Sequence, residues 1–102
     1  VFAGLKVLAD QAHAKSIKVY TATLTPRNGS LDYSPEQERE RLHLNEMICN
    51  AECFDRVIDF AEATADTADT SILAPYCDSG DHLHPSKHAY KLMGELAAKL
   101  LK

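Results

Sequence analysis

The sequence predicts an α/β domain built on a parallel sheet, and three observations lead to this expectation. Segments with helical periodicity alternate with extended segments along the 102 residues. Two runs rich in β-branched and aromatic residues, 17–24 and 54–60, have the composition of strands. One helical segment separates these runs, and another closes the chain. This order of elements is typical of layered α/β domains.

The first element is a helix over Val1–Ser16, because its apolar residues recur at helical spacing. The face that we expect to be buried comprises Val1, Leu5, Leu8 and Ala12, flanked by Phe2 and Ala9. No Ser, Thr, Asp or Asn precedes this helix to cap its free amide groups. We therefore expect the chain to be part of a longer protein that continues on the N-terminal side.

After the strand over 17–24, Pro26 and the Asn-Gly-Ser run at 28–30 predict a loop. The second helix has a complete start signal, in which Ser34 is the cap, Pro35 occupies the first turn and Gln37 completes a capping box. This helix is expected to end near Cys49 or Asn50. We expect it to bury Leu42, Met47 and Ile48 and to expose its charged run 36–41. Tyr20 and Tyr33 are expected to be packing residues and not substrate contacts.

The second half of the chain begins with the strand over 54–60. We expect a loop with weak helix at 61–70, a brief extended piece at 71–73 and turns at 75–85. The last helix follows its cap Ser86, and its buried face comprises Ala89, Leu92, Met93, Leu96, Ala97 and Leu100. Only two strands are convincing, whereas parallel sheets usually have more members and are covered on both faces. The expected sheet partners are therefore missing, again on the N-terminal side.

Charge and hydropathy exclude several kinds of partner. Eleven basic residues against fifteen acidic ones give a net charge of −4, without any basic run. Such a chain is not attracted to nucleic-acid phosphates or to anionic membrane surfaces. No apolar stretch approaches the roughly 20 residues that a membrane span requires. We expect neither nucleic-acid binding nor a membrane span.

The three cysteines, Cys49, Cys53 and Cys77, are expected to be small buried residues. A disulfide between Cys53 and Cys77 is the alternative for a secreted protein, and the sequence does not decide between them.

The loop before the last helix contains the most informative residues. Asp81 lies three residues before His84, on a turn that Gly80 and Pro85 shape. This spacing can bring the carboxylate onto one imidazole nitrogen, which fixes the tautomer and leaves the other nitrogen as a general base. In open α/β sheets, active sites lie in loops at the carboxyl ends of the strands.

The run from Gly80 to Ser86, followed by a helix that contains Tyr90, resembles the last conserved block of the GDSL or SGNH hydrolases. Residues 18–26 resemble the strand and loop that precede this block, and residues 54–60 resemble a strand of the same branch. The resemblance covers essentially all 102 residues in family order. It is closest to a branch of secreted microbial esterases with carbohydrate-deacetylating members, so secretion is compatible with it, although the localisation stays open.

The resemblance implies the C-terminal portion of a flavodoxin-like, three-layer α/β/α domain, which occupies residues 1–102. It implies His84 as the catalytic base and Asp81 as its orienting carboxylate. It gives His82 no catalytic role and makes Ser86 a helix cap. The implied activity is hydrolysis of carboxylic esters, of the lipase, acylhydrolase or carbohydrate esterase type, with a small-molecule, lipid or acylated-carbohydrate ester as substrate and no metal or organic cofactor.

The chain departs from the family pattern in one large respect. The blocks that supply the nucleophilic serine and the oxyanion donors do not occur in it. Ser79 is no substitute, because it lacks the strand-to-helix elbow that presents a nucleophile. We expect the isolated chain to have no hydrolase activity, and its missing partner to be the N-terminal half of the same domain.

Three other interpretations remain open at this stage. Asp81 and His84 could form a structural hydrogen bond that ties the loop to the helix. His82, His84, His88 and Asp81 could form a metal site, because imidazole and carboxylate are common zinc ligands. Finally, the chain could be a noncatalytic interaction module that uses the apolar stripe of its last helix.

Overall fold

The computed structural model describes residues 1–101, and it has the mixed α/β architecture that the sequence predicts. The elements in chain order are α1 (Phe2–Ala14), β1 (Tyr20–Ala22), α2 (Pro35–Asn50), β2 (Arg56–Ile58), α3 (Phe60–Thr64), a 3₁₀ turn (Pro75–Cys77) and α4 (Lys87–Leu100). Among residues 1–101, no helix combines the length and the apolar character that a bilayer crossing requires.

The sheet of the described residues has two strands, β1 and β2, which pair in parallel. Tyr20 pairs with Arg56, and Ala22 pairs with Ile58. Both strands are shorter than the predicted runs. At the end of β2 the reason is local, because the Asp59 side chain accepts a hydrogen bond from the Glu62 N–H and starts α3 at the next residue. The chain thus turns into a helix where its composition favours a strand.

Four of the six residues predicted to form the inner face of helix α1 are buried or half-buried, and the expectation is wrong for the other two. Ala9 is buried and Phe2, Leu5 and Ala12 are half-buried, whereas Val1 and Leu8 are exposed, Leu8 by 63%. The helix is oriented by an edge-to-face contact between Phe2 and Phe54, whose ring centroids are 6.4 Å apart. Because Phe2 faces inward, Leu8 lies on the solvent side of the helix.

Helix α2 begins with the predicted capping box, in which the Ser34 and Gln37 side chains each accept a hydrogen bond from the other's N–H. It ends at Asn50, as predicted. Ile48 is buried and Met47 half-buried, but the expectation for Leu42 is wrong, since it is 50% exposed.

The expectation that the whole 36–41 run is solvated is also wrong, because Arg41 is only 5% exposed. Its guanidinium donates to the Leu24 carbonyl at 3.1 Å and to both carboxylate oxygens of Glu38. The Asn45 side chain accepts from the Leu24 N–H at 2.8 Å and donates to the Leu24 carbonyl at 2.9 Å. These polar contacts fix α2 against the segment that follows β1.

The apolar cluster under α4 consists of Leu73, Ala74, Cys77 and Ala89, with Leu92 packed against it. All six residues of the predicted α4 face are buried or half-buried, so this prediction is confirmed. Of the three cysteines, Cys77 is buried, Cys53 is half-buried and Cys49 is exposed, which corrects the expectation for Cys49. All three are free thiols, so the alternative disulfide is not formed.

Candidate active site

The loop between the 3₁₀ turn and α4 closes on itself. Asp78 and Pro85 form an antiparallel bridge, and the Ser79 N–H donates to the His84 carbonyl at 3.1 Å. The Ser86 N–H donates to the Cys77 carbonyl at 2.7 Å, and the Ser86 hydroxyl caps α4 by accepting from the Ala89 N–H. Both ends of the loop are therefore held by the backbone, next to the start of α4.

Within this loop, the structure brings Asp81 and His84 into direct contact. The Nδ1 atom of His84 lies 2.5 Å from the Oδ2 atom of Asp81. The Oδ1 atom of Asp81 accepts from the N–H groups of Leu83 at 2.9 Å and of His84 at 2.8 Å, and from the Ser79 hydroxyl at 3.2 Å. Because Nδ1–H donates to a carboxylate, the free electron pair of a neutral imidazole is on Nε2.

The hydrogen bonds to Asp81 stabilise its ionised form. The hydrogen bond from the His84 side chain has the largest effect, and the N–H groups of His84 and Leu83 add to it, so that the pKa of the Asp81 carboxyl lies well below its usual range. Asp81 is therefore a carboxylate at neutral pH. A carboxylate in this position stabilises a positive charge on the imidazole that it contacts.

The imidazole of His84 is open to solvent, with 66% of its side chain exposed. In the part of the chain that the structure describes, no side chain forms a hydrogen bond with its Nε2 atom. The two nearest serines along the chain are engaged elsewhere, since Ser79 donates to Asp81 and Ser86 donates to the Tyr76 carbonyl at 2.6 Å. The Nε2 atom is thus free to meet a group from another part of a protein.

The same loop contains a second histidine–aspartate pair, formed by His82 and Asp78, that the sequence reasoning missed. The Nδ1 atom of His82 lies 2.7 Å from Oδ2 of Asp78, and a Cβ atom at Gly29 would lie 3.4 Å from Cγ of the His82 ring. Oδ1 of Asp78 accepts from the N–H groups of Gly80 and His82. The spacing of four residues between Asp78 and His82 is the signal that could have identified the pair.

This second pair shapes the turn that carries Asp81. Gly80 and His82 have φ values of 122° and 61°, in the left-handed region. For a residue other than glycine this conformation costs on the order of 1 kcal/mol, which the Asp78 contacts offset. Burial opposes ionisation of Asp78, but the N–H groups of Gly80 and His82 and the His82 side chain outweigh it and lower the pKa of the carboxyl. Asp78 is therefore a charged anchor of the turn.

The residues of the alternative metal site do not converge. His82 and His84 contact different carboxylates, and the ring of His88 stacks edge-on against Tyr76, with centroids 5.1 Å apart. Within residues 1–101, no three His, Cys, Asp or Glu side chains are grouped so that they could hold a metal ion. The described geometry therefore gives the metal interpretation no support.

Comparison with known proteins gives no assignment. The chain matches no protein-family model, and no curated protein matches it in sequence.

Proposed function

We propose that this chain supplies the histidine and aspartate of an SGNH-type serine esterase, with His84 as the general base and Asp81 as the carboxylate that orients it. The observation that carries the proposal is the 2.5 Å contact between Nδ1 of His84 and the Asp81 carboxylate, together with the exposed imidazole, whose Nε2 atom has no hydrogen-bond partner in the described structure. A structural tie between the loop and α4 would not require an exposed imidazole, because the Asp78–Pro85 bridge and the Ser86 cap already hold this junction.

In the proposed reaction, Nε2 of His84 takes the proton from a serine hydroxyl while the serine oxygen forms a bond to the ester carbonyl carbon. The imidazolium returns this proton to the alkoxide as the carbon–oxygen bond to the leaving alcohol breaks. A water molecule, deprotonated by the same nitrogen, then attacks the carbonyl carbon of the acyl-serine. The imidazolium gives this proton to the serine oxygen as the bond between that oxygen and the acyl carbon breaks, which releases the carboxylic acid and the free serine. Asp81 stays ionised throughout and stabilises the imidazolium in both steps.

The serine and the oxyanion donors belong, in this proposal, to the N-terminal half of a flavodoxin-like α/β/α domain. Two features support such a partner. A two-stranded parallel sheet leaves the outer edges of β1 and β2 unpaired among the described residues, and further parallel strands can pair there. The two serines of this loop, Ser79 and Ser86, donate to Asp81 and to the Tyr76 carbonyl, so neither is directed at the His84 imidazole. The substrate is an ester of a small molecule, a lipid or an acylated carbohydrate.

The test uses the complete protein that contains this chain, with p-nitrophenyl acetate and p-nitrophenyl butyrate as substrates. His84→Ala should lower kcat by about 10³-fold or more, because the base of a serine hydrolase triad contributes on this order. A fluorophosphonate probe should label a serine in the unmodified protein, and the labelling should slow to the same degree in the variant.

The matched control is His13→Ala, which removes another histidine that contacts a carboxylate, Asp55, at 2.7 Å, in a different region of the fold. This variant should retain kcat within about threefold, as expected for a surface substitution outside the site. The proposal is wrong if the complete protein hydrolyses neither ester, or if His84→Ala retains a kcat within tenfold of the parent.

A further inference from the structure

A groove of about 730 Å³ lies between the start of α1, the face of α2 and the segment after β1. Its apolar wall is formed by Phe2, Leu24, Leu44, Met47 and Leu83. Leu24 closely follows β1, and Leu83 belongs to the loop of Asp81 and His84. The groove is therefore near the carboxyl end of a parallel strand, where open α/β sheets bind ligands, and it has the volume of a small-molecule site.

The groove also contains an arginine with unused hydrogen-bonding capacity. The guanidinium carbon of Arg27 lies 4.9 Å from the centre of the Tyr33 ring, and its Nε atom is buried without a hydrogen-bond partner in the described structure. Among residues 1–101, no carboxylate forms an ion pair with Arg27. The Nε atom is enclosed by protein atoms, but the terminal guanidinium nitrogens of Arg27 also form no hydrogen bond in the described structure, so they can donate to a ligand in the groove that Arg27 lines.

The aromatic ring that Arg27 contacts is held in place by its neighbours. The Tyr33 hydroxyl donates to Glu38 at 2.7 Å, and burial together with this carboxylate raises the pKa of Tyr33, so the hydroxyl keeps its proton. Glu38 is in turn held by the buried Arg41. The aromatic face beneath Arg27 is thus anchored to α2, and the guanidinium needs little reorganisation to meet an anion.

We propose that this groove binds a carboxylate that carries an apolar chain, with the carboxylate on Arg27 and the chain along the apolar wall. The charge balance favours a single negative charge. Two arginines line the groove, and the charge of Arg41 is neutralised by Glu38, so Arg27 is the one of the two without an ion pair. Glu40 adds a negative charge to the lining, which also contains the imidazole of His43. A phosphate monoester, with a charge of about −1.5 to −2 at neutral pH, fits this balance less well. The proposal does not depend on the esterase activity.

The test titrates the full chain with octanoate, with its uncharged isostere octanamide and with octyl phosphate, by calorimetry and by amide chemical shifts. Octanoate should bind about tenfold more tightly than octanamide, because a hydrogen bond to a charged group adds roughly this factor. The amide signals of Leu24 and Leu83 should shift on binding. Arg27→Ala should remove the preference for octanoate and leave the affinity for octanamide within about twofold.

Two further variants make the test decisive. Arg39→Ala removes an exposed arginine of α2 that does not line the groove, and it should bind octanoate like the parent. Arg27→Lys keeps the charge but loses the planar guanidinium, so its affinity for octanoate should lie between those of the parent and Arg27→Ala. If the alanine variant does not fold, the lysine variant provides the test. Three results would each overturn the proposal. The parent could bind octanoate and octanamide with equal affinity, the Arg27 variants could bind octanoate as tightly as the parent, or the parent could bind octyl phosphate more tightly than octanoate.

Discussion

Both carboxylate oxygens of Glu38 accept hydrogen bonds from the guanidinium of Arg41, at 2.8 and 2.7 Å, one turn further along α2. Arg41 is 5% exposed, so this pair is buried and its geometry is bidentate. Arg41 also donates to the Leu24 carbonyl, and Glu38 also accepts from Tyr33. The pair thus connects α2 with the end of β1 and with the wall of the groove.

Removal of one partner of this buried pair should be strongly destabilising, because it leaves the other charge without compensation. We expect Glu38→Ala to lower the free energy of unfolding by about 3 kcal/mol. Glu40→Ala, at an exposed position of the same helix, should change it by less than about 0.5 kcal/mol. Urea denaturation followed by circular dichroism measures both. Equal effects of the two substitutions would mean that the pair contributes nothing beyond helix propensity.

Asn45 should contribute to stability through the backbone of Leu24 rather than through packing. Asn45→Ala leaves the Leu24 N–H without its acceptor at 2.8 Å, which should cost about 1–3 kcal/mol of unfolding free energy. Asn50→Ala, at the exposed end of α2, provides the control with a smaller effect. Hydrogen exchange of the Leu24 amide gives an independent measurement, since the amide should exchange faster in Asn45→Ala and at the parent rate in Asn50→Ala.

The pH dependence of stability should include a contribution from Asp81. Its folded pKa is lowered, so the carboxylate stabilises the folded state above the unfolded pKa of about 3.9 and loses this effect as the pH falls further. The difference in urea midpoint between the parent and Asp81→Asn should have its full size at pH 6 and shrink steadily below about pH 4. A difference that stays constant from pH 6 to pH 2.5 would contradict this assignment.

Two glycines should respond in opposite directions to the same substitution. A Cβ atom at Gly80 or Gly94 would meet no atom within 4 Å, so a steric clash does not account for any difference between the two alanine variants. Gly80 has a φ of 122°, and Gly80→Ala should destabilise the fold by about 1–2 kcal/mol. Gly94 lies inside α4, and Gly94→Ala should stabilise it by about 0.5–1 kcal/mol. Thermal unfolding of both variants measures the signs, and equal signs would refute the backbone explanation.

The sequence by itself determined the features that depend on residues a few positions apart. Spacings of three or four residues fix the local geometry of three features. These are the helix caps at Ser34 and Ser86, the buried face of α4 and the contact between Asp81 and His84. The parallel pairing of the two strand runs was also predictable from the order of elements.

Only the tertiary structure decided which groups are buried and which remain unpaired. The charged run of α2 predicts exposure, yet Arg41 is buried because the distant Leu24 carbonyl lies opposite it. Leu8 of α1 is exposed although its spacing predicts burial, and Phe2 packs against the distant Phe54. Arg27 has an Nε atom without a hydrogen-bond partner beside Tyr33. These outcomes depend on contacts between segments that are far apart in the chain. The local sequence of a helix does not specify which backbone groups of a distant segment will lie against it.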